Sequence, residues 1–238
     1  MKIFVVGGGS GFGCTLVRAA LAAGHQVAYS TSSATDAFDG QTDLAVTGCD
    51  LTQSGQVDVL SDAIRGFAPD RLVLCMIKTH YRPMAEQTAT SIDEEVTFNV
   101  AVPITLANAY AACRPDGSMT FMLSHICFLY NPGFALYKAG KDALDSFAKS
   151  LQFEYPRLKV LCVYPGAMRT GFVTNTGYAG AKVFPAAEPA LWAARVLSRD
   201  SGVMMAVRDI PFLIMTRLLP FRLQKILFQI IFGLLRRK

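Results

Sequence analysis

No two cysteines in this chain have C-x-x-C spacing. The six (Cys14, Cys49, Cys75, Cys113, Cys127, Cys162) are scattered through mostly apolar runs. The three histidines, His25, His80 and His125, do not cluster with them. These absences exclude a zinc site or a disulfide framework and leave reduced thiols, as in a cytosolic protein. Charged residues are scarce, at 17% against 52% hydrophobic. That excludes a disordered or fibrous chain and suits a sheet buried on both faces. The body also lacks net charge. Residues 1–207 carry 16 basic and 17 acidic groups, so the overall +5 comes from residues 208–238, with seven Lys/Arg and one acid. A general nucleic-acid surface is excluded in favour of one localised basic element. No repeat and no linker occur before about residue 208, so the division is one domain, 1–207, and a tail, 208–238. The opening Met1-Lys-Ile-Phe-Val-Val-Gly7 reaches glycine too soon for a signal peptide and reads as a strand.

What is present alternates short apolar runs with helical stretches. Strands are predicted at 2–6, 26–30, 43–47, 71–77, 118–123, 159–164 and 203–207. Helices are predicted at 14–23, 56–67, about 91–113, 135–155 and 188–198. In a chain of 238 residues this β-α-β order predicts an α/β fold, a Rossmann-type doubly wound parallel sheet with helices on both faces.

Between the first strand and the first helix stands Gly7-Gly-Gly9-Ser10-Gly11-Phe12-Gly13. Glycines there let the backbone turn tightly and approach a pyrophosphate, while the helix start offers free N–H groups to the anion. This loop points to a dinucleotide. The second strand ends in Tyr29-Ser30-Thr31-Ser32-Ser33, without the acidic residue that would bind a ribose 2′-hydroxyl. Hydroxyls that can donate to a 2′-phosphate, and no carboxylate to repel it, favour NADP over NAD. Further on, Tyr137-Lys-Ala-Gly-Lys141 puts a phenol and an ammonium on one helix face, one turn apart, with Ser124 thirteen residues upstream. An ammonium beside a phenol is expected to lower the phenol's pKa and fit it for proton transfer near neutrality.

In this order the pieces resemble the short-chain dehydrogenase/reductase family over about residues 1–207. Its glycine motif matches Gly7, Gly11 and Gly13, and its Asp-aliphatic pair after the third strand matches Asp50-Leu51. Its helix asparagine matches Asn99, its serine Ser124, and its Tyr-x-x-x-Lys Tyr137 and Lys141. Its Pro-Gly-x-x-x-Thr matches Pro165-Gly166 and Thr170. The resemblance implies that Tyr137 is the acid/base and Ser124 polarises the substrate oxygen. It implies that Lys141 lowers the tyrosine pKa and binds the nicotinamide ribose, and that Asn99 anchors a water in the proton path. It also implies a dimer or tetramer. One departure stands out: the family's Asn-Asn-Ala-Gly at the end of the fourth strand is replaced by Leu74-Cys-Met-Ile77, and Val6 replaces the usual threonine.

The segments nearest the reacting groups, 125–136 and 167–185, contain Ile126, Phe128, Leu129, Tyr130, Phe134, Met168, Phe172, Val173, Tyr178 and Phe184. They predict an apolar pocket for a hydrophobic ketone or alcohol, with no arginine pair for an acidic substrate. Gly171, Gly177 and Gly180 predict a lid over the cofactor. In the tail, a helix beginning at Pro220 carries Arg222, Lys225, Gln229, Gly233 and Arg236 on one narrow polar stripe. Its longest uncharged run, 226–235, is too short to span a bilayer. The tail is expected either to lie in a membrane interface or to pack on a neighbouring subunit or its own pocket. Three functions are therefore carried forward: a hydrophobic ketone/alcohol oxidoreductase, a reductase of a lipid-linked substrate docked through the tail, and a cofactor-binding regulator with little turnover.

Overall fold

The strands show almost continuous burial instead of alternation: all five residues of β5, Ser118–Met122, are buried, as are four of five in β1, Lys2–Val6. A strand buried on both sides needs helices on both sides. The computed structural model, which describes residues 1–176 and 186–235, supplies them. Seven parallel strands run in the order β3-β2-β1-β4-β5-β6-β7. The others are β2 (Gln26–Ser30), β3 (Leu44–Val46), β4 (Arg71–Leu74), β6 (Lys159–Tyr164) and β7 (Gly202–Met205). Phe4 and Val6 point to one face and join α2 (Gln56–Phe67), α4 (Val102–Cys113) and α5 (Ala135–Glu154) in one core. Ile3 and Val5 point to the other and meet α1 (Gly11–Ala22) and α7 (Pro189–Leu197). The strand order reverses between β1 and β4, so the crevice for a ligand opens beyond their C-terminal ends. All six cysteines are free.

Several predicted boundaries are corrected: α1 begins at Gly11 rather than residue 14, and β7 covers Gly202–Met205 rather than 203–207. β4 stops at Leu74 rather than Ile77. Its neighbour β1 turns away at Gly7 (φ +79°), so only the Cys75 N–H still reaches the Val6 carbonyl, at 3.0 Å, and the ladder ends. The single helix predicted at 91–113 is α3 (Ala89–Val96), a wide π turn (Thr97–Ala101) and α4. Pro103 has no N–H to return to the preceding turn, which accounts for a break there. By length and hydropathy the 25-residue run Ala89–Cys113 could cross a bilayer. Here Leu106, Ala107 and Tyr110 are fully buried under the sheet. The tail is two helices, α8 (Ile210–Leu218) and α9 (Phe221–Leu235). Gln224 joins them: its Nε2 donates to the Leu219 carbonyl at 2.6 Å and the Thr216 carbonyl at 3.2 Å, satisfying groups at the end of α8. A short helix α6 (Phe172–Thr176) precedes residues 177–185. Those residues hold Gly177, Gly180, Tyr178 and Phe184, so most of the predicted lid lies outside the described residues.

Candidate active site

The glycine loop is shaped by contacts that admit no side chain. A Cβ on Gly13 would lie 2.1 Å from the Gly7 carbonyl oxygen. The Gly7 N–H donates to Ser30 Oγ at 3.3 Å and the Gly8 N–H to the Ser30 carbonyl at 2.9 Å, tying the loop to the end of β2. The first intrahelical bond of α1 runs from the Cys14 N–H to the Ser10 carbonyl. The earlier N–H groups of its first turn therefore have no partner within the helix, and no acidic side chain stands there. This is a cradle suited to a phosphate.

From this cradle one cavity of about 790 Å³ runs to Tyr137 and Lys141. Every predicted cofactor residue lines it: the loop from Gly7 through Gly13 apart from Gly8, the 30–32 hydroxyls, Asp50-Leu51, Pro165-Gly166 and Thr170. Their hydroxyls are not equivalent. Ser30 is buried and engaged with the loop, and Thr31 Oγ1 accepts from the Ser33 N–H at 3.2 Å, whereas Ser32 is exposed at the mouth. Asp50 accepts from the backbone and hydroxyl of Thr52 at 3.0 and 2.8 Å, which hold its carboxyl below the usual range. Cys75, Met76 and Ile77, standing where the family motif is missing, form a wall of the same cavity. The Met76 backbone lies 3.1 Å from where a Gly7 Cβ would be, so this wall packs on the glycine loop by main chain.

At the far end, Ser124 follows β5 and caps a 3-10 turn, its Oγ accepting from the Ile126 N–H at 3.2 Å. Tyr137, in the first turn of α5, is hydrogen-bonded to Ser124 and is 7% exposed. Lys141, one turn on, is 3% exposed and donates from Nζ to the Met122 carbonyl at 2.8 Å. Here the electrostatic expectation is corrected. Burial pushes the Tyr137 phenol up, and the Ser124 hydrogen bond offsets this only in part. The Lys141 ammonium faces the strand carbonyl, and burial brings its pKa down from 10.5 to about 8. A phenol in this state is neutral and can donate a proton; the lysine titrates close to neutrality.

Asn99 stands apart from the cavity wall. It is buried in the π turn, where its Oδ1 accepts from the Lys78 N–H at 3.0 Å. Its Nδ2 donates to the Glu95 carbonyl at 2.9 Å and to the Lys78 carbonyl. Its amide thus clamps the chain leaving β4.

Of the predicted substrate residues, Ile126, Leu129, Phe134, Met168 and Phe172 line the cavity. Phe128 belongs to the core, against Tyr164. The side chains of Val173, Tyr178 and Phe184 lie outside the described residues. Arg169 pairs with Glu188 at 2.6 Å on the exposed surface. Tyr130 meets Phe221 and Phe228 of α9, and Phe228 packs with Ile126, Leu129, Phe134 and Tyr137. The tail therefore packs behind residues that line the pocket, while no described residue of α8 or α9 lines the cavity itself. The sequence reading missed His125, which lines the cavity beside Gly166 with its Nδ1 3.9 Å from Asp209 Oδ1. Its only signal is adjacency to Ser124. Lys138 was also missed. It holds the pocket loop by donating to the carbonyls of Ile126 and Cys127 at 3.2 and 2.9 Å.

Residues 1–179 match the short chain dehydrogenase family. A short-chain dehydrogenase from Streptomyces avermitilis superposes with a TM-score of 0.76 at 24% identity, covering 89% of this chain and 90% of that one. Another, from Sphingobium yanoikuyae in complex with NADPH, gives 0.77 at 21% identity, covering 85% and 86%. At these identities the likeness establishes the fold. Among curated proteins, the 3-ketodihydrosphingosine reductase TSC10 of Candida glabrata is 22% identical over 138 residues. That match spans 57% of this chain and only 38% of the reductase.

Proposed function

This chain belongs to the short chain dehydrogenase family of oxidoreductases, and from that premise we propose that it reduces a hydrophobic ketone, or oxidises the alcohol, with NADP. The observation that carries the reading is the single cavity joining the phosphate cradle of α1 to the Ser124–Tyr137 pair. The cradle fits a dinucleotide: the Gly13 contact leaves the backbone bare, and the first turn of α1 presents free N–H groups. When bound, the nicotinamide supplies or accepts the hydride. Gly7, Gly9, Ser10, Gly11, Phe12 and Gly13 would hold the pyrophosphate; Asp50-Leu51 would flank the adenine, and Pro165, Gly166 and Thr170 the nicotinamide. Thr31 and Ser32 support NADP, with NAD as the alternative, because no carboxylate at the end of β2 opposes a 2′-phosphate.

Tyr137 gives its proton to the carbonyl oxygen as the alkoxide forms, and Ser124 hydrogen-bonds the same oxygen and orients it. Lys141 would hold the nicotinamide ribose on turning from the Met122 carbonyl, and its depressed pKa suits it to return a proton to Tyr137. Asn99 supports this route by fixing Lys78, and its turn is the place for a relay water. The wall of Ile126, Leu129, Phe134 and Phe172 excludes water and favours an apolar substrate. The clustering of Phe228 with Leu129, Phe134 and Tyr137 and the curated relative's name together favour a finer reading, a lipid-linked or membrane-dissolved carbonyl reached through the tail. The assembly carried with this reading is a dimer or tetramer.

The test is a panel of ketones of increasing chain length, with NADPH and NADH compared. The expected result is turnover that improves with chain length and prefers NADPH. Cofactor fluorescence quenching without turnover across the panel would instead favour a cofactor-binding regulator.

A further inference from the structure

We propose that α9, supported by α8, docks this protein on an anionic membrane surface. The assignment deepens the lipid-linked reading and rests on it for its purpose, while its geometry stands on the helices themselves.

At 100° per residue, α9 divides into three sectors. Gln224 and Phe228 are 5% and 4% exposed and face the body of the protein. Lys225, Gln229 and Arg222 follow on one exposed flank. Beyond them, over an arc of about 100°, come Ile226, Ile230, Leu223 and Leu227. These four are 52%, 52%, 48% and 37% exposed. This apolar arc points away from the inward sector that is buried against the rest of the protein. In α8, Ile210, Ile214 and Leu218 recur at steps of four and are also exposed. An apolar face of this kind on a soluble surface calls for an occupant.

Charge decides which occupant. Residues 210–238 contain no acid, and six of them are Lys or Arg, ending in Arg236-Arg237-Lys238. A two-fold contact between copies would bring this patch onto itself, cation against cation, with no carboxylate in the element to neutralise it. Anionic headgroups meet both needs: they pair with the cationic flank while the aliphatic arc enters the headgroup–acyl boundary. Spanning is not required. The 15 residues of α9 reach about 22 Å, short of the roughly 30 Å of hydrocarbon. Because Phe228 is clustered with Leu129, Phe134 and Tyr137, the docking face is the side of α9 turned away from that cluster. Docking would bring the cluster beside the reaction site close to the lipid surface.

The experiment is co-flotation of the full chain, with NADPH, on vesicles of phosphatidylcholine with and without phosphatidylglycerol. The expected result is recovery with phosphatidylglycerol vesicles, reduced by high salt. The pair Ile226→Glu with Ile230→Glu should cut recovery at least tenfold, with the melting temperature and NADPH quenching unchanged. Arg222→Gln with Lys225→Gln should remove the preference for phosphatidylglycerol. The proposal is overturned if the wild type fails to float, floats equally on both vesicles, or floats as well with both glutamates present. Light scattering that shows the glutamate pair dissociating a dimer, with no vesicle recovery of the wild type, gives the face to a second copy and also overturns it. Turnover of a short, soluble ketone in the same samples keeps the readings apart: its loss with flotation intact strikes the catalytic reading alone.

Discussion

Burial of Lys141 is the residue-scale fact with the widest consequence. In the unfolded chain its ammonium keeps the ordinary pKa of 10.5; folded, it falls to about 8 through desolvation. Below pH 8 both states are protonated and the cost of burying the charge is fully present. Between about 8 and 10.5 the folded state releases its proton first, the unfolded state binds more, and stability rises with pH. The gain is on the order of 3 kcal/mol across that window. Urea unfolding of wild type and Lys141→Met should therefore diverge in favour of the wild type as pH rises through it. A constant difference would mean that the lysine is not desolvated. The motif Tyr-x-x-x-Lys was legible in the sequence, but the sign of the tyrosine's shift was not. Spacing reports which groups are one turn apart. It does not report that the ammonium turns to the Met122 carbonyl or that Tyr137 is sealed by Phe134 and Phe172.

At the scale of elements, the β1–loop–α1 unit depends on main-chain approach. Gly13→Ala would drive a methyl to 2.1 Å from the Gly7 oxygen. The expected cost is about 1–3 kcal/mol by urea unfolding, with NADPH affinity lowered at least tenfold because the cradle must open. Unchanged affinity would separate the loop from the cofactor. Elements bounded by glycine or proline were readable: β1, β2, α2 and β6 fall on the predicted residues. The apolar run 71–77 overran its strand because residues 75–77 are apolar for a different reason, as cavity wall. Hydrophobic periodicity likewise passed over the π turn, since one wide turn barely alters which side chains face the core. Pro103 was its local mark. Asn99 was found by motif, yet its clamp on Lys78 joins segments 21 residues apart and belongs to tertiary structure.

At the scale of the molecule, the tail adds an apolar buttress to the reaction end of the crevice, Phe228 clustering with Ile126, Leu129, Phe134 and Tyr137. Its composition was plain in the sequence, but which sector would face inward was not, because Phe212 of α8 and Tyr130 of the pocket loop meet Phe228 only once the chain is folded. Phe228→Ala should cost about 3 kcal/mol and raise KM for a long-chain ketone severalfold, with kcat little changed. An unchanged KM would mean that Phe228 has no part in substrate binding. Tyr137 as the proton donor to the substrate oxygen is the centre of the proposed chemistry, and the measurement that bears on it most directly pairs turnover with cofactor binding in Tyr137→Phe. Turnover of the best ketone is expected to fall by at least about a hundredfold while NADPH quenching is retained. Substantial turnover in that variant, with cofactor bound, would contradict that role.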